Sequence, residues 1–275
     1  MQHNPLNSYF RRPSIYIKLP SGGKFYPAGT LDMPPNNELA VYPMTAVDEI
    51  TYRTPDALFN GTAVVEVIKS CVPAIKDPWT IPSIDLDTIL SAIRIASYGH
   101  TLEIETTCPK CNEEANYGVD LREILEQFVT PDYSKSVSAG DLQVFFKPLS
   151  YREINQNSIM QFEEQKLTSI LSDAEMEQDE KLKLLSESYS KISELTIITL
   201  AQNISYIQTP DSVADNAEHI NEFLHNCDRT VYKSIFDHAS SFKETTELKP
   251  LHLICEHCQH KYKQPFTLNM TTFFG

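Results

Sequence analysis

Two Cys-x-x-Cys pairs constrain this chain more than any other feature: Cys108-Pro-Lys-Cys111 and Cys255-Glu-His-Cys258. About 140 residues separate them, yet together they supply four thiolates, the number a closed tetrahedral zinc site needs. Their flanks repeat as well. Leu102-Glu-Ile104-Glu precedes the first pair, and Leu251-His-Leu253-Ile precedes the second. Tyr117, Val119 and Leu121 follow the first; Tyr262, Phe266 and Leu268 follow the second. Each set reads as strand, knuckle, strand, with apolar residues near period two. Two such hairpins facing each other would form a discontinuous four-cysteine zinc ribbon, joining residues near 100–120 to residues near 250–270.

The chemistry follows from the donor set. A Cys-x-x-Cys turn lets two sulfurs converge on one ion, and Zn–S bonds of about 2.3 Å place four donors at tetrahedral corners. Four thiolates leave no open position for water or substrate. Cys108, Cys111, Cys255 and Cys258 are therefore expected to hold one structural zinc ion. Two other readings stand beside this one: two pairs of ordinary free thiols, or a thioredoxin-like redox pair. The redox pair is the weaker, because Cys108 opens no long helix within a βαβ pattern. His257 or His260 could replace one sulfur, but four cysteines at matched spacing are the simpler set. Cys71 and Cys227 lie in apolar or helical runs and read as buried thiols.

Composition narrows the partners. The formal net charge of −14 disfavours nucleic acid, since a phosphate-binding face must be basic and only Lys261 and Lys263 stand out beside a knuckle. No apolar run approaches the roughly 20 residues of a membrane helix, and the N-terminal Met1-Gln-His-Asn-Pro has no signal-peptide core. The expectation is a cytosolic protein, where thiols stay reduced and bind zinc.

The chain reads as α+β in four segments. Residues 1–55 form a small N-terminal antiparallel β unit, with strands at Ser14–Leu19 and Glu38–Pro43 and an extended restart at Lys24-Phe-Tyr26. Residues 56–149 form a helical segment with the first knuckle. Ala63, Val64, Val67, Ile68 and Cys71 share one helical face. Trp79, the sole tryptophan, reads as a packing anchor between prolines. A second helix runs from Asp85 to Tyr98, with Asp85 or Asp87 as its cap and Gly99 at its end. A short amphipathic helix is expected over Val119–Phe128 and a strand over Leu142–Lys147. Residues 150–247 read as a helical insertion. Its main feature is a long helical hairpin, Tyr151–Leu171 and Glu175–Ile204, turning at Ser172-Asp-Ala. Tyr206-Ile-Gln is extended, Thr209-Pro210 starts a helix, and Asp228 starts another that runs to about Lys243. Residues 248–275 carry the second knuckle and a tail.

No catalytic constellation emerges. Gly23-Lys24 lacks the earlier glycine and the following Ser or Thr of a phosphate loop. His219, Glu222 and His225 are spaced three apart on a helix, so a metal site there is geometrically allowed, but surface polar positions are the simpler reading. Neither a nucleophile elbow nor a dinucleotide glycine pattern occurs. The chain reads as a non-enzymatic interaction or structural protein.

The order of several segments adds a family. They are Leu19-Pro-Ser-Gly-Gly-Lys-Phe-Tyr26, Tyr42-Pro-Met-Thr-Ala46, Pro55-Asp-Ala-Leu-Phe-Asn-Gly61, Val67-Ile-Lys-Ser-Cys-Val-Pro73 and Ile93-Arg-Ile-Ala-Ser-Tyr-Gly99. With the two cysteine pairs and the terminal Phe273-Phe274, this series resembles the base plate protein family of T-even-type contractile-tailed bacteriophages. The resemblance runs along nearly the whole chain, and its specificity lies in the order of short motifs. It implies a phage protein made in the host cytoplasm that works through other baseplate hub or tail proteins, as a subunit of the virion tail baseplate or as a hub-assembly chaperone. It brings no catalytic residues, no small-molecule substrate and no membrane association. Zinc rests on this sequence alone. A zinc-ribbon regulatory or nucleic-acid-associated protein is the alternative.

Overall fold

Apolar spacing and local capping account for most of the elements in the structure, a computed structural model that describes residues 4–54, 59–173, 178–266 and 268. The chain divides into two units, Met1–Thr130 with Thr246–Gly275, and Pro131–Thr245.

In the first unit, β1 (Ile15–Ile17) pairs antiparallel with β2 (Leu39–Val41), with Ile15 opposite Val41 and Ile17 opposite Leu39. This is the small β unit that the alternation predicts. Pro20 to Phe25, however, is a series of turns with Phe25 at φ 69°, so no extended run restarts at Lys24. The tandem glycines Gly22 and Gly23 take positive φ and carry the chain through that turn. Helix α1 (Ala46–Tyr52) opens on a capping box in which Thr45 and Asp48 satisfy each other's backbone N–H groups. Helix α2 (Thr62–Cys71) buries Ala63, Val64, Val67, Ile68 and Cys71, the face its spacing marks.

Helix α3 (Ser83–Tyr98) is the centre of this unit. Ile89, Leu90 and Ile93 are fully buried, as are Leu39, Val41 and Ile68. It ends at Gly99, whose N–H bonds the Ile95 carbonyl at φ 87°, the C-terminal device the sequence signals. Its start differs from expectation: neither Asp85 nor Asp87 caps it. The helix begins after Pro82, and Asp85 points into the core, where it accepts hydrogen bonds from the Ser21 N–H and hydroxyl. A carboxylate two residues inside a helix is as useful to a distant loop as to its own N-terminus. Strands β3 (Thr101–Thr107) and β4 (Glu114–Asp120) follow, then helix α4 (Leu121–Leu125). The amphipathic helix expected over Val119–Phe128 is thus shorter. Val119 completes the β4 pairing opposite Leu102, and Asp120 caps the helix by accepting from the Arg122 N–H at 2.9 Å.

In the second unit, β5 (Val137–Ala139), β6 (Leu142–Phe146), β7 (Ile204–Gln208) and β8 (Val213–Ala214) form one antiparallel sheet in that order. Between β6 and β7 the chain runs out and back through helices α5 (Tyr151–Asp173) and α6 (Gln178–Asn203). Their contacts fix an antiparallel register. Asn157 Nδ2 donates to Thr199 Oγ1 at 3.1 Å and Gln202 Oε1 at 2.8 Å; farther out, Ser188 donates to Glu164 at 2.9 Å and Lys191 pairs with Glu164 at 3.1 Å. The expected turn at Ser172-Asp-Ala lies partly outside the described residues.

Thr209-Pro210 does not start a helix. Thr209 Oγ1 accepts from the N–H groups of Asp211 and Ser212, forming the tight turn between β7 and β8. The Thr-Pro dipeptide suits either a helix start or a turn, and the sheet decides. Helix α7 (Ala217–Asn226) begins later, capped by Asn216, and α8 (Arg229–Thr246) begins after Asp228. The core here joins sheet residues Val144, Phe146, Ile204 and Ile207 to Leu200, Ile220, Leu224 and Ile235 from the helices. Strands β9 (Leu251–Ile254) and β10 (Lys261–Gln264) then return the chain to the first unit.

Candidate metal centre

Each knuckle closes an antiparallel hairpin. In β3–β4, Leu102 pairs with Val119, Ile104 with Tyr117 and Thr106 with Ala115; in β9–β10, Tyr262 pairs with Leu253 and Gln264 with Leu251. These residues are the more buried ones in the strict alternation of both hairpins. They form the layer between the hairpins, stitched by polar contacts. Thr106 Oγ1 donates to Gln264 Oε1 at 2.9 Å, and the Tyr117 hydroxyl donates to the Ile254 carbonyl at 3.2 Å.

The two knuckles repeat each other bond for bond. Cys108 N–H donates to the Glu113 carbonyl at 2.9 Å, and Cys255 N–H to the His260 carbonyl at 2.9 Å. Asn112 N–H returns to the Cys108 carbonyl, and Gln259 N–H to the Cys255 carbonyl, again both at 2.9 Å. The residue after each second cysteine is left-handed, Asn112 at φ 58° and Gln259 at φ 57°. Asparagine tolerates that conformation; glutamine does so less readily. This shared residue is a part of the site that sequence reasoning missed, and only Asn112 offered a signal for it.

The sulfurs of Cys108, Cys111, Cys255 and Cys258 lie within 4.8 Å of one another, the one such group among the described residues. Two separations cross between knuckles, Cys108 to Cys258 at 3.7 Å and Cys111 to Cys255 at 3.6 Å. A tetrahedron with bonds of about 2.3 Å has edges of about 3.8 Å. The observed spacing therefore fits a four-coordinate sulfur site, and the four cysteines can hold a metal ion. Cys108 and Cys255 are buried, and Cys111 and Cys258 are half-exposed.

The local electrostatics also suit a cation. Burial pushes the Cys108 thiol up, but hydrogen bonds from the Cys111 and Lys110 amides, with those of the Cys111 and Cys255 sulfurs, bring it down to about 6. The Glu113 amide pulls Cys111 down, yet desolvation and three neighbouring sulfurs push it up to about 12. A positive ion placed between close-set thiolates stabilises their charged form.

His257 and His260 are not in this group; the His260 ring stacks on Tyr262 instead. The spaced trio His219, Glu222 and His225 is not gathered into a site either. His219 is exposed, and His225 Nε2 lies 3.1 Å from Glu194 Oε1 on α6. Cys71 is buried, as expected, whereas Cys227 is only half-buried. Trp79 is half-buried in a 3₁₀ turn capped by Asp77. No helix among the described residues is long and apolar enough to cross a membrane.

Four clustered cysteines on a mixed α and β chain do not by themselves name a protein class. Comparison with known families gives the class as a bacteriophage baseplate protein. The chain belongs to the T4 bacteriophage base plate protein family, whose family model matches residues 13–275, nearly the whole length. No curated protein and no solved structure matches it.

Proposed function

We propose that the protein is a non-enzymatic component of the phage tail baseplate hub, acting as a structural subunit or a hub-assembly factor through contacts with other baseplate or tail proteins. The observation that carries this reading is the family match over residues 13–275. In it, Cys108, Cys111, Cys255 and Cys258 bind one structural zinc ion that joins the two hairpins; tetrahedral sulfur spacing and the closed donor set support the assignment. When bound, zinc supplies charge neutralisation and a cross-link, and no reactive position. The protein is made in the host cytoplasm, and its helical hairpin is the arm that meets a partner. Exposed Met160, Phe162, Leu182 and Tyr189 on that hairpin support the last point.

The test is quantitative mass spectrometry of the protein in purified virions against infected-cell lysate. A fixed ratio to other baseplate subunits in virions identifies a permanent subunit. Abundance in lysate and in hub intermediates, with none in virions, identifies an assembly factor. A protein found in neither virions nor hub intermediates overturns the proposal.

A further inference from the structure

The two-hairpin body has two outer faces, and they carry opposite charge. The outward positions of β3 and β4 include Glu103, Glu105 and Glu114, all exposed. Glu103 lies opposite Gly118 and Glu105 opposite Asn116, so neither has a cation across the strand. The outward positions of β9 and β10 are His252, Ile254, Lys261 and Lys263, also exposed. Lys261 lies opposite Ile254 and Lys263 opposite His252, so neither lysine has a carboxylate across the strand. Among the described residues none of these glutamates and lysines forms an ion pair.

We propose that the acidic face of β3–β4 on one copy docks against the basic face of β9–β10 on a second copy of this chain. Alternate residues on a strand repeat at about 6.8 Å. Glu103 and Glu105 share that spacing with Lys261 and Lys263, so two Lys–Glu pairs form at once when the faces stack. The pairing is specific in sign. On a chain with 37 acidic and 23 basic side chains, the complement of this lysine pair stands on the opposite side of the same small body. Each copy would use one face toward each neighbour. Such a contact is heterologous, and it builds a ring if the rotation closes or a row if it does not.

Size sets its strength. The shorter hairpin offers an outer face on the order of 150 Å², far below the roughly 800 Å² per partner of a self-sufficient interface. The contact therefore acts where copies are already concentrated. Because the pairs are exposed, it weakens with salt. It depends on neither the hub assignment nor the identity of the metal.

The test is zero-length carbodiimide coupling of the full-length protein at high concentration, with isotope-labelled and unlabelled copies mixed so that links between chains are recognised. We expect mixed-isotope links joining Lys261 or Lys263 to Glu103 or Glu105 at low ionic strength, falling at least several-fold in high salt. Lys261→Glu with Lys263→Glu, which lacks the linking amines and is therefore read by sedimentation, should cut self-association about tenfold, the scale of two lost surface pairs. Adding Glu103→Lys and Glu105→Lys to that variant should restore it. The wild-type link map and its salt dependence stand even if a variant folds poorly. Wild-type protein with no mixed-isotope link at these four residues overturns the proposal. So does self-association that the lysine reversal leaves unchanged. A lysine face that binds a DNA duplex but no second copy would identify a nucleic-acid surface instead.

Discussion

At the scale of single residues, the cysteines and one histidine make the sharpest predictions. Cys108→Ser or Cys255→Ser removes a buried sulfur donor and leaves three sulfurs, too few to close a four-coordinate site. Metal analysis should find about one zinc per chain in the wild type and less than a tenth of that in either variant, with a lowered melting temperature. Wild-type protein purified without chelators and carrying no zinc would refute the metal assignment. His238 makes the pH prediction. Its ring packs against Phe146 at 5.1 Å and Phe242 at 4.9 Å, and its Nε2 is buried without a hydrogen-bond partner among the described residues. Desolvation there lowers its pKa below the usual histidine value. The folded state thus prefers neutral imidazole, while the unfolded chain takes up a proton more readily. Stability from this group is complete above about pH 6.5, the unfolded value, and is lost as pH falls through the lower folded value. Urea unfolding of wild type and His238→Gln between pH 7.5 and pH 5.5, a range spanning roughly that value, should show a steeper acid loss in the wild type. Parallel curves would mean that His238 does not sense pH.

At the scale of elements, burial rather than exposed apolarity decides what holds the fold. Ile235 on α8 is fully buried, whereas Tyr189 on α6 is largely exposed. Ile235→Ala should cost about 3 kcal/mol in chemical denaturation, and Tyr189→Ala no more than about 0.5 kcal/mol. A comparable loss from Tyr189→Ala would mean that the hairpin face is already covered within the chain. The same contrast explains what the sequence could reveal. The metal-site candidates were legible because two knuckles with matched flanks carry their geometry in local spacing. Helices α2 and α3 were legible because apolar residues recur along them and Gly99 marks the end of α3, and the hairpin because its two runs are long and free of proline and glycine. Thr209-Pro210 was misread because one dipeptide serves two local structures, and the choice lies in the pairing of β7 with β8, which no nearby residue announces. Asp85 was misread for a similar reason: its partner, Ser21, is 64 residues away. The short strands β5 and β8 have too few residues to show a period. They exist because Leu142–Phe146 and Ile204–Gln208 pair with each other and leave edges to extend.

At the scale of the whole molecule, the question is what the sulfur clamp holds together. An unstructured loop between Cys111 and Cys255, 144 residues apart, would cost about 4 kcal/mol to close by chain entropy alone. The intervening chain is not unstructured. Residues 131–245 form a unit with its own buried core, from Val144 and Phe146 to Ile220 and Ile235. Closure is therefore largely met by folding, and a metal held by the four cysteines would act locally on two short hairpins. A two-stranded hairpin is marginal in water by itself, and β9–β10 offers only Leu251, Leu253, Tyr262 and Gln264 to its partner. Chelation should thus unlock the hairpins and spare the second unit. Hydrogen exchange before and after metal removal checks this directly. Amides of β3, β4, β9 and β10 should lose protection by tenfold or more, while those of β6, β7 and α8 keep theirs. Uniform loss across the chain would show that the clamp supports the entire fold. No change at the hairpins would show that their packing, through Thr106, Tyr117 and Tyr262, suffices without a metal.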